Sequence, residues 1–131
     1  MTGNGYRVGV LGATGAVGST ILGVLAERDF PASEVVPFAS ERSAGRQIEW
    51  NGSVLECVPL NEATIAGLDV VLSSAGGAVS SEWAPKLVEA GAVVVDNTSY
   101  WRMHEDVPLV VAGVNSEAAD AHKGIVANPN C

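Results

Sequence analysis

The stretch that decides the fold is Gly12-Ala13-Thr14-Gly15-Ala16-Val17-Gly18. It follows the apolar run Tyr6–Leu11 and precedes an apolar-periodic run at residues 19–25, which predicts a strand, a glycine turn and a helix. Glycines here let the backbone turn tightly against a pyrophosphate, and the new helix directs its free N–H groups at the anion. This G-x-x-G-x-x-G spacing is a variant of the dinucleotide-binding fingerprint. The alternative is a turn whose glycines only permit close helix–strand packing.

Length and composition indicate one globular domain, since the 131 residues are 47% hydrophobic and 17% charged. The net charge of −8 opposes non-specific binding to nucleic acid or to an anionic membrane. No apolar run reaches the length of a membrane span, and the first residues do not have the pattern of a signal peptide. The two cysteines suit a reduced, cytoplasmic compartment, and no residue cluster has metal-ligand spacing.

Predicted strands and helices alternate along the chain. The predicted strands are residues 6–11, 34–39, 69–73, 92–95 and 125–127. A helix follows the glycine stretch with Val17 on its buried stripe, and a second spans about residues 80–90 with Pro85 near its first turn. This alternation predicts an α/β fold: a Rossmann-like, doubly wound, mainly parallel sheet with helices on both faces. We assign residues 1–131 to one dinucleotide-binding domain.

Two shorter elements complete the pattern. Asn51-Gly52 predicts a hairpin between short strands at residues 48–50 and 54–58. Cys57 lies in the second of these apolar runs, where we expect a small packed hydrophobe. Asn115 or Ser116 is placed to cap a short helix that ends near Ala121.

The loop after the second strand, residues 40–46, is placed to contact the ribose of a bound adenosine. An acidic residue there selects NAD, whereas hydroxyl groups and arginine accommodate the 2′-phosphate of NADP. Glu41 lies beside Arg42, so the loop contains both an acidic residue and an arginine. Ser40, Arg42 and Ser43 favour NADP, because serine and arginine form a charge-assisted phosphate site. The alternative is a solvated turn without a ligand.

Two side chains have positions suited to chemistry. Cys131 follows a predicted strand end, where a helix N-terminus would lower a thiol's pKa and supply N–H donors to an oxyanion. It could equally be a spare cysteine at a frayed end. Arg102 follows the polar strand end at residues 96–99 and could hold a carboxylate or phosphate in a bidentate manner, or lie on the surface.

Several motifs together resemble one family. They are GATGAVG at 12–18, FASERSAG at 38–45, SAGG at 74–77, DNTS at 96–99 with Trp101-Arg102, DVPLVV at 106–111 and GIVANPNC at 124–131. In this order they resemble the N-terminal part of the bacterial aspartate-semialdehyde dehydrogenases, from about Tyr6 to Cys131. The related N-acetyl-glutamyl-phosphate reductases are similar in plan but differ at the residue before the cysteine.

The resemblance implies NADP-dependent reductive dephosphorylation of L-aspartyl 4-phosphate to L-aspartate 4-semialdehyde, a step toward lysine, threonine, methionine and diaminopimelate. It makes Cys131 the nucleophile that forms a thioester, and it places phosphate on Arg102 and Asn130. It also implies a cofactor site, made of Gly12, Thr14, Gly15, Ala16, Val17, Gly18, Ser40, Arg42, Ser43, Ser74, Ala75, Gly76 and Asn97.

The chain departs from the family pattern in two ways. Gly113 stands where the family usually has an acidic residue. The family's catalytic and dimerisation domain is expected downstream of the cysteine, so we expect the 131-residue fragment alone to bind NADP weakly and to be inactive. For the full-length protein the resemblance implies a homodimer or homotetramer. The alternatives left open are a dinucleotide sensor without chemistry, an inactive paralogue, or the related reductase.

Overall fold

A computed structural model describes residues 5–111 and 114–129 as a five-stranded parallel sheet with two helices and a separate hairpin. The elements in chain order are β1 Tyr6–Leu11, α1 Ala16–Glu27, β2 Ala32–Phe38, β3 Gln47–Trp50, β4 Ser53–Glu56, β5 Val70–Ser73, α2 Gly77–Glu89, β6 Val93–Asp96, a 3₁₀ helix Ser116–Ala121 and β7 Ile125–Ala127. The strand order is β2-β1-β5-β6-β7, and each adjacent pair is parallel. The predicted α/β class and the mainly parallel sheet are confirmed.

Helices cover both faces of the sheet, as predicted. On one face, Val8 and Val10 of β1 pack with Leu22 and Leu25 of α1. On the other, Leu11 belongs to a cluster that includes Leu87 of α2. Strands enclosed on both sides become continuous apolar runs, which explains the valine-rich strand sequences. Burial of each such leucine stabilises the fold by about 2 kcal/mol.

The hairpin of β3 and β4 packs against both α1 and the edge strand β2. Trp50 Nε1 donates a hydrogen bond of 2.7 Å to the carbonyl oxygen of Leu22. Trp50 also packs, with Ile48 and Leu55, against the cluster on the α1 face. This hydrogen bond joins the end of β3 to the middle of α1.

Helix α2 starts earlier than the sequence predicted, at Gly77 instead of Ser80. Gly76, with a φ of +98°, serves as its N-cap, so the helix begins directly after the glycine turn. Pro85 consequently lies inside the helix and not in its first turn. The missing N–H leaves the carbonyl of Ser81 without its helical partner, and the exposed position of Pro85 lets water replace it.

The predicted buried stripe of α1 was wrong at Val17, which is 44% exposed. Gly18 takes the buried position beside β1. Pro37 lies in β2 at the sheet edge, paired in register with Val10. An edge strand tolerates proline because its outer side needs no ladder donor.

The start of α1 is pressed against the end of β1. An ideal Cβ on Gly18 would collide with the backbone of Gly12, above all its carbonyl oxygen. Gly12 itself has a φ of +78° and lies against the backbone of Ser74 and Ala75. These two glycines therefore set the helix-to-strand distance and the sharp turn.

Among the helices of the described residues, none has the length and apolar character needed to cross a membrane.

We predict opposite effects for the same substitution at two positions of α1. Gly18→Ala should destabilise the protein by about 3 kcal/mol or more, because backbone atoms must move to admit the methyl group. Gly23→Ala, in the same helix but with no atom within 4 Å of its Cβ, should stabilise it by about 0.5–1 kcal/mol. Urea unfolding followed by tryptophan fluorescence measures both. Similar effects at the two positions would contradict the packing argument.

Candidate functional site

The carboxyl ends of β1, β5, β6 and β7 meet at one edge of the sheet, because all four strands run parallel. The chain leaves β1 toward β2 on one side and returns through β5 on the other, so the order reverses beside β1. Such a reversal opens a crevice between the loops that leave the two neighbouring strands.

A cleft of about 460 Å³ occupies this crevice. Its walls combine the two glycine turns with the end of β2 and an apolar patch. The lining residues are Gly12, Thr14, Gly15, Phe38, Ala39, Ser40, Glu41, Pro59, Leu60, Ser74, Ala75 and Val79. Small residues on one side and apolar side chains on the other suit a flat, partly apolar ligand.

Two helices begin at this edge without side-chain caps. Gly15 is the N-cap of α1 and Gly76 is the N-cap of α2, and neither helix has an acidic residue in its first turn. The first N–H groups of a helix have no intrahelical partner and carry a partial positive charge. The glycine turns therefore present unsatisfied donors to an anion at the cleft.

The loop after β2 forms a pinned helical turn. The N–H groups of Ser43 and Ala44 each donate to the carbonyl of Ser40 at 2.9 Å. The N–H of Gly45 donates to the carbonyl of Cys57 at 2.8 Å, and the N–H of Cys57 donates to the carbonyl of Arg46 at the same distance. This loop is thus held beside the cleft by its own backbone.

A smaller pocket of about 180 Å³ lies beside the glycine stretch, against the ends of β5, β6 and β7. Its lining includes Val17, Asn97 and Asn128. Asn128 Nδ2 donates to Asn97 Oδ1 at 3.2 Å, whereas Asn128 Oδ1 is buried and accepts from no described residue. A free acceptor at this position suits a ligand group that donates hydrogen bonds, such as a carboxamide.

Arg102 is fixed across two strand ends. Its Nε donates to the carbonyl of Asn128 and its Nη2 to the carbonyl of Asn97, each at 3.1 Å. Within the described part of the chain, its Nη1 has no hydrogen-bond partner. A half-buried guanidinium held in this way offers its remaining donors to an anion.

The turn that carries Asn97 depends on a buried carboxylate. Asp96, fully buried at the end of β6, accepts hydrogen bonds from the Thr98 hydroxyl at 2.6 Å and the Thr98 N–H at 3.2 Å. Trp101 Nε1 donates to Ser80 Oγ of α2 at 2.8 Å, which anchors the following segment. The sequence identified residues 96–99 as a polar strand end, but it did not predict that Asp96 holds the turn in place.

The structure brings many of the predicted site residues together. Gly12, Thr14, Gly15, Ser40, Ser74 and Ala75 line the larger cleft. Ala16, Val17 and Gly18 begin α1, and Gly76 caps α2. Arg42 and Ser43 lie on the loop beside the cleft but do not line it, and Asn97 lines the smaller pocket. Asn130, Cys131 and Gly113 lie outside the described residues.

Sequence reasoning missed the apolar wall of the cleft, formed by Phe38, Pro59, Leu60 and Val79. It also missed Asn128. The position of Asn128 directly after the last predicted strand was the available signal, since ligands of such sheets collect at strand ends.

Cys57 is a structural thiol. It is 1% exposed, and burial raises the pKa of its thiol, as does Glu56, while Arg46 opposes the shift. Since the thiolate is the reactive form, both the pKa and the burial make Cys57 inert at neutral pH.

A parallel sheet with a glycine turn, two uncapped helix starts and a cleft at its point of reversal defines the class of dinucleotide-binding domains. Residues 7–122 match the family model described as "Semialdehyde dehydrogenase, NAD binding domain". The chain belongs to this family.

Individual relatives agree with this assignment. An aspartate-semialdehyde dehydrogenase of Aquifex aeolicus is 53% identical over 130 residues, which cover 97% of this chain and 38% of the relative. The crystal structure of aspartate semialdehyde dehydrogenase II complexed with ASA from Vibrio cholerae has a TM-score of 0.93 and 46% identity, covering 97% of this chain and 42% of that one. The Candida albicans enzyme with NADP has a TM-score of 0.73 and 27% identity, covering 94% and 42%. The chain thus spans about 40% of the length of these relatives.

We predict that Cys57 reacts slowly with thiol reagents in the folded protein. In a Cys131→Ser variant, where Cys57 is the remaining thiol, modification in buffer at neutral pH should be about 100-fold slower than in urea. The rate should rise with pH, because the raised pKa keeps the thiol protonated at neutral pH. Rapid modification of the folded variant would show that the Cys57 segment opens readily.

Proposed function

We propose that the chain is the cofactor-binding part of an aspartate-semialdehyde dehydrogenase, which reduces L-aspartyl 4-phosphate to L-aspartate 4-semialdehyde with NADPH. The observation that carries this proposal is Arg102, held by two backbone carbonyls next to the cofactor edge. One of these carbonyls belongs to Asn128, which precedes Cys131 by three residues in the sequence. A phosphate site and a nucleophile beside a dinucleotide site are what reduction of an acyl phosphate requires.

The residues present fit a dinucleotide. Gly12, Thr14 and Gly15 line the larger cleft, and the uncapped start of α1 beside them suits a pyrophosphate. In the proposal this group is held by Gly12, Thr14, Gly15, Ala16, Val17 and Gly18, and the turn between β5 and α2 faces it with Ser74, Ala75 and Gly76. Asn97 and Asn128 would bond the carboxamide of the nicotinamide in the smaller pocket.

The far end of the cofactor would lie beside the loop after β2. Ser40, Arg42 and Ser43 supply the hydroxyl groups and the guanidinium suited to the 2′-phosphate of NADP. The chemistry that the bound cofactor supplies is hydride transfer to an acyl group.

Cys131 and Arg102 would do the acyl chemistry. The Cys131 thiolate attacks the acyl carbon, the carbon–oxygen bond to phosphate breaks, and a thioester remains. Arg102 and Asn130 donate hydrogen bonds to the phosphate oxygens, which stabilises the departing charge. One difficult reduction is thereby divided into two easier steps.

The proposal includes a downstream catalytic and dimerisation domain, assembly as a homodimer or homotetramer, and a cytoplasmic location. These parts rest on the resemblance to the family and on the greater length of the relatives.

The nucleophile is tested by two cysteine substitutions in the full-length protein. Cys131→Ser should lower turnover by about 1,000-fold or more, because a hydroxyl without an activating base is a poor nucleophile. NADP⁺ binding, measured by calorimetry, should persist in this variant. Cys57→Ala is the control, and it should leave kcat within about twofold because the Cys57 side chain is buried and does not line the cleft. Normal turnover by Cys131→Ser, or NADP⁺ binding without turnover by the unaltered protein, would overturn the enzyme proposal.

The phosphate role of Arg102 is tested by Arg102→Lys, assayed in the direction that consumes phosphate. Lysine keeps the positive charge but lacks the guanidinium group that donates to the carbonyls of Asn128 and Asn97. The KM for phosphate should therefore rise about tenfold or more. The KM for NADP⁺ should change little. Arg28→Lys, at the exposed C-cap of α1, is the matched control and should alter neither constant. An unchanged phosphate KM in Arg102→Lys would remove Arg102 from the site.

A further inference from the structure

The adenosine end of the cleft carries two adjacent and opposite charges that do not neutralise one another. Glu41 lines the cleft, whereas Arg42, the next residue, does not. Both side chains are exposed, and neither forms an ion pair with any residue in the ranges that the structure describes. The cleft therefore presents a free carboxylate at the end of β2, where a bound dinucleotide places its ribose.

The loop conformation keeps the two charges apart. Residues 40–44 form a helical turn closed by the two hydrogen bonds to the Ser40 carbonyl, and Gly45 ties the turn to the Cys57 carbonyl. Successive side chains of a helical turn point about 100° apart. Glu41 and Arg42 therefore leave the turn in different directions, in keeping with the absence of an ion pair between them.

We propose that Glu41 determines how strongly the protein discriminates between NADP and NAD. Its carboxylate accepts hydrogen bonds from the ribose hydroxyls of NAD and repels the 2′-phosphate of NADP, against the attraction of Arg42. The protein therefore binds both dinucleotides, and its preference for NADP is smaller than Ser40, Arg42 and Ser43 alone would give. This inference rests on the proposed function and refines its cofactor specificity.

The magnitudes support a measurable effect. Two unit charges about 6 Å apart at a solvated surface change an affinity by roughly three- to tenfold. Losing a carboxylate acceptor for a ribose hydroxyl has an effect of about the same size. Because the two effects act on different dinucleotides, they multiply in the ratio of the two affinities.

The test compares Glu41→Gln with Glu49→Gln in the full-length protein. Both substitutions remove one negative charge, but Glu49 is an exposed residue of the hairpin that does not line the cleft. Calorimetry gives the Kd of NADP⁺, NAD⁺, adenosine 2′,5′-bisphosphate and ADP. In Glu41→Gln we expect tighter NADP⁺ and bisphosphate binding and weaker NAD⁺ and ADP binding, with a shift in the NADP⁺:NAD⁺ ratio on the order of tenfold or more. Glu49→Gln should leave that ratio within about twofold of the unaltered protein.

Glu41→Asp separates the two contributions, because a shorter carboxylate keeps the charge and loses the reach. It should weaken NAD⁺ without improving NADP⁺. An unchanged ratio in Glu41→Gln, or an equal loss of both dinucleotides, would overturn the role of Glu41 and leave the proposed function standing. A folded protein that binds neither dinucleotide would overturn the proposed function itself, and the role of Glu41 with it.

Discussion

The structure depends on the close contact between the start of α1 and the end of β1. Gly18 has no side chain to collide with the Gly12 carbonyl, so the helix begins immediately above the strand. The same approach sets the position of Gly15, whose N–H donates to the Gly12 carbonyl at 3.0 Å. Because the turn uses backbone atoms alone, no side chain occupies the helix N-terminus, and its donors remain available to an anion. Packing and binding thus have one physical cause.

A second constraint acts at the carboxyl ends of β6 and β7. There Arg102 is held by backbone carbonyls and not by a charged side chain. A carboxylate partner would neutralise the guanidinium, but two carbonyls orient it and leave its charge uncompensated. Asp96 lies nearby in the sequence, yet its carboxylate is bonded to Thr98. The strand ends therefore separate the buried Asp96 carboxyl group, which shapes a turn, from the Arg102 guanidinium, which no carboxylate of the described residues pairs with.

The sequence predicted the sheet, both principal helices and the glycine turns, because these follow from apolar periodicity and from residues with special backbone freedom. It placed Val17 in the core wrongly, since periodicity does not show that a glycine can occupy the buried position at a helix start. It identified the strand-end residues but not their partners. Contacts such as Asn128 with Arg102 join segments 26 residues apart and depend on the packing of whole strands.

The charge distribution explains how an acidic chain can hold an anionic cofactor. The chain carries 15 acidic and 7 basic residues, yet both helix starts at the cleft lack acidic residues in their first turns. Glu41, by contrast, is an acidic residue that lines the cleft. The net negative charge of the chain already disfavours phosphate there, and the Glu41 carboxylate adds to this repulsion. A neutral residue there would strengthen NADP binding by removing repulsion at the site. A carboxylate at position 41 fits a site that binds both NAD and NADP better than it fits a site that binds only NADP, the more highly charged of the two.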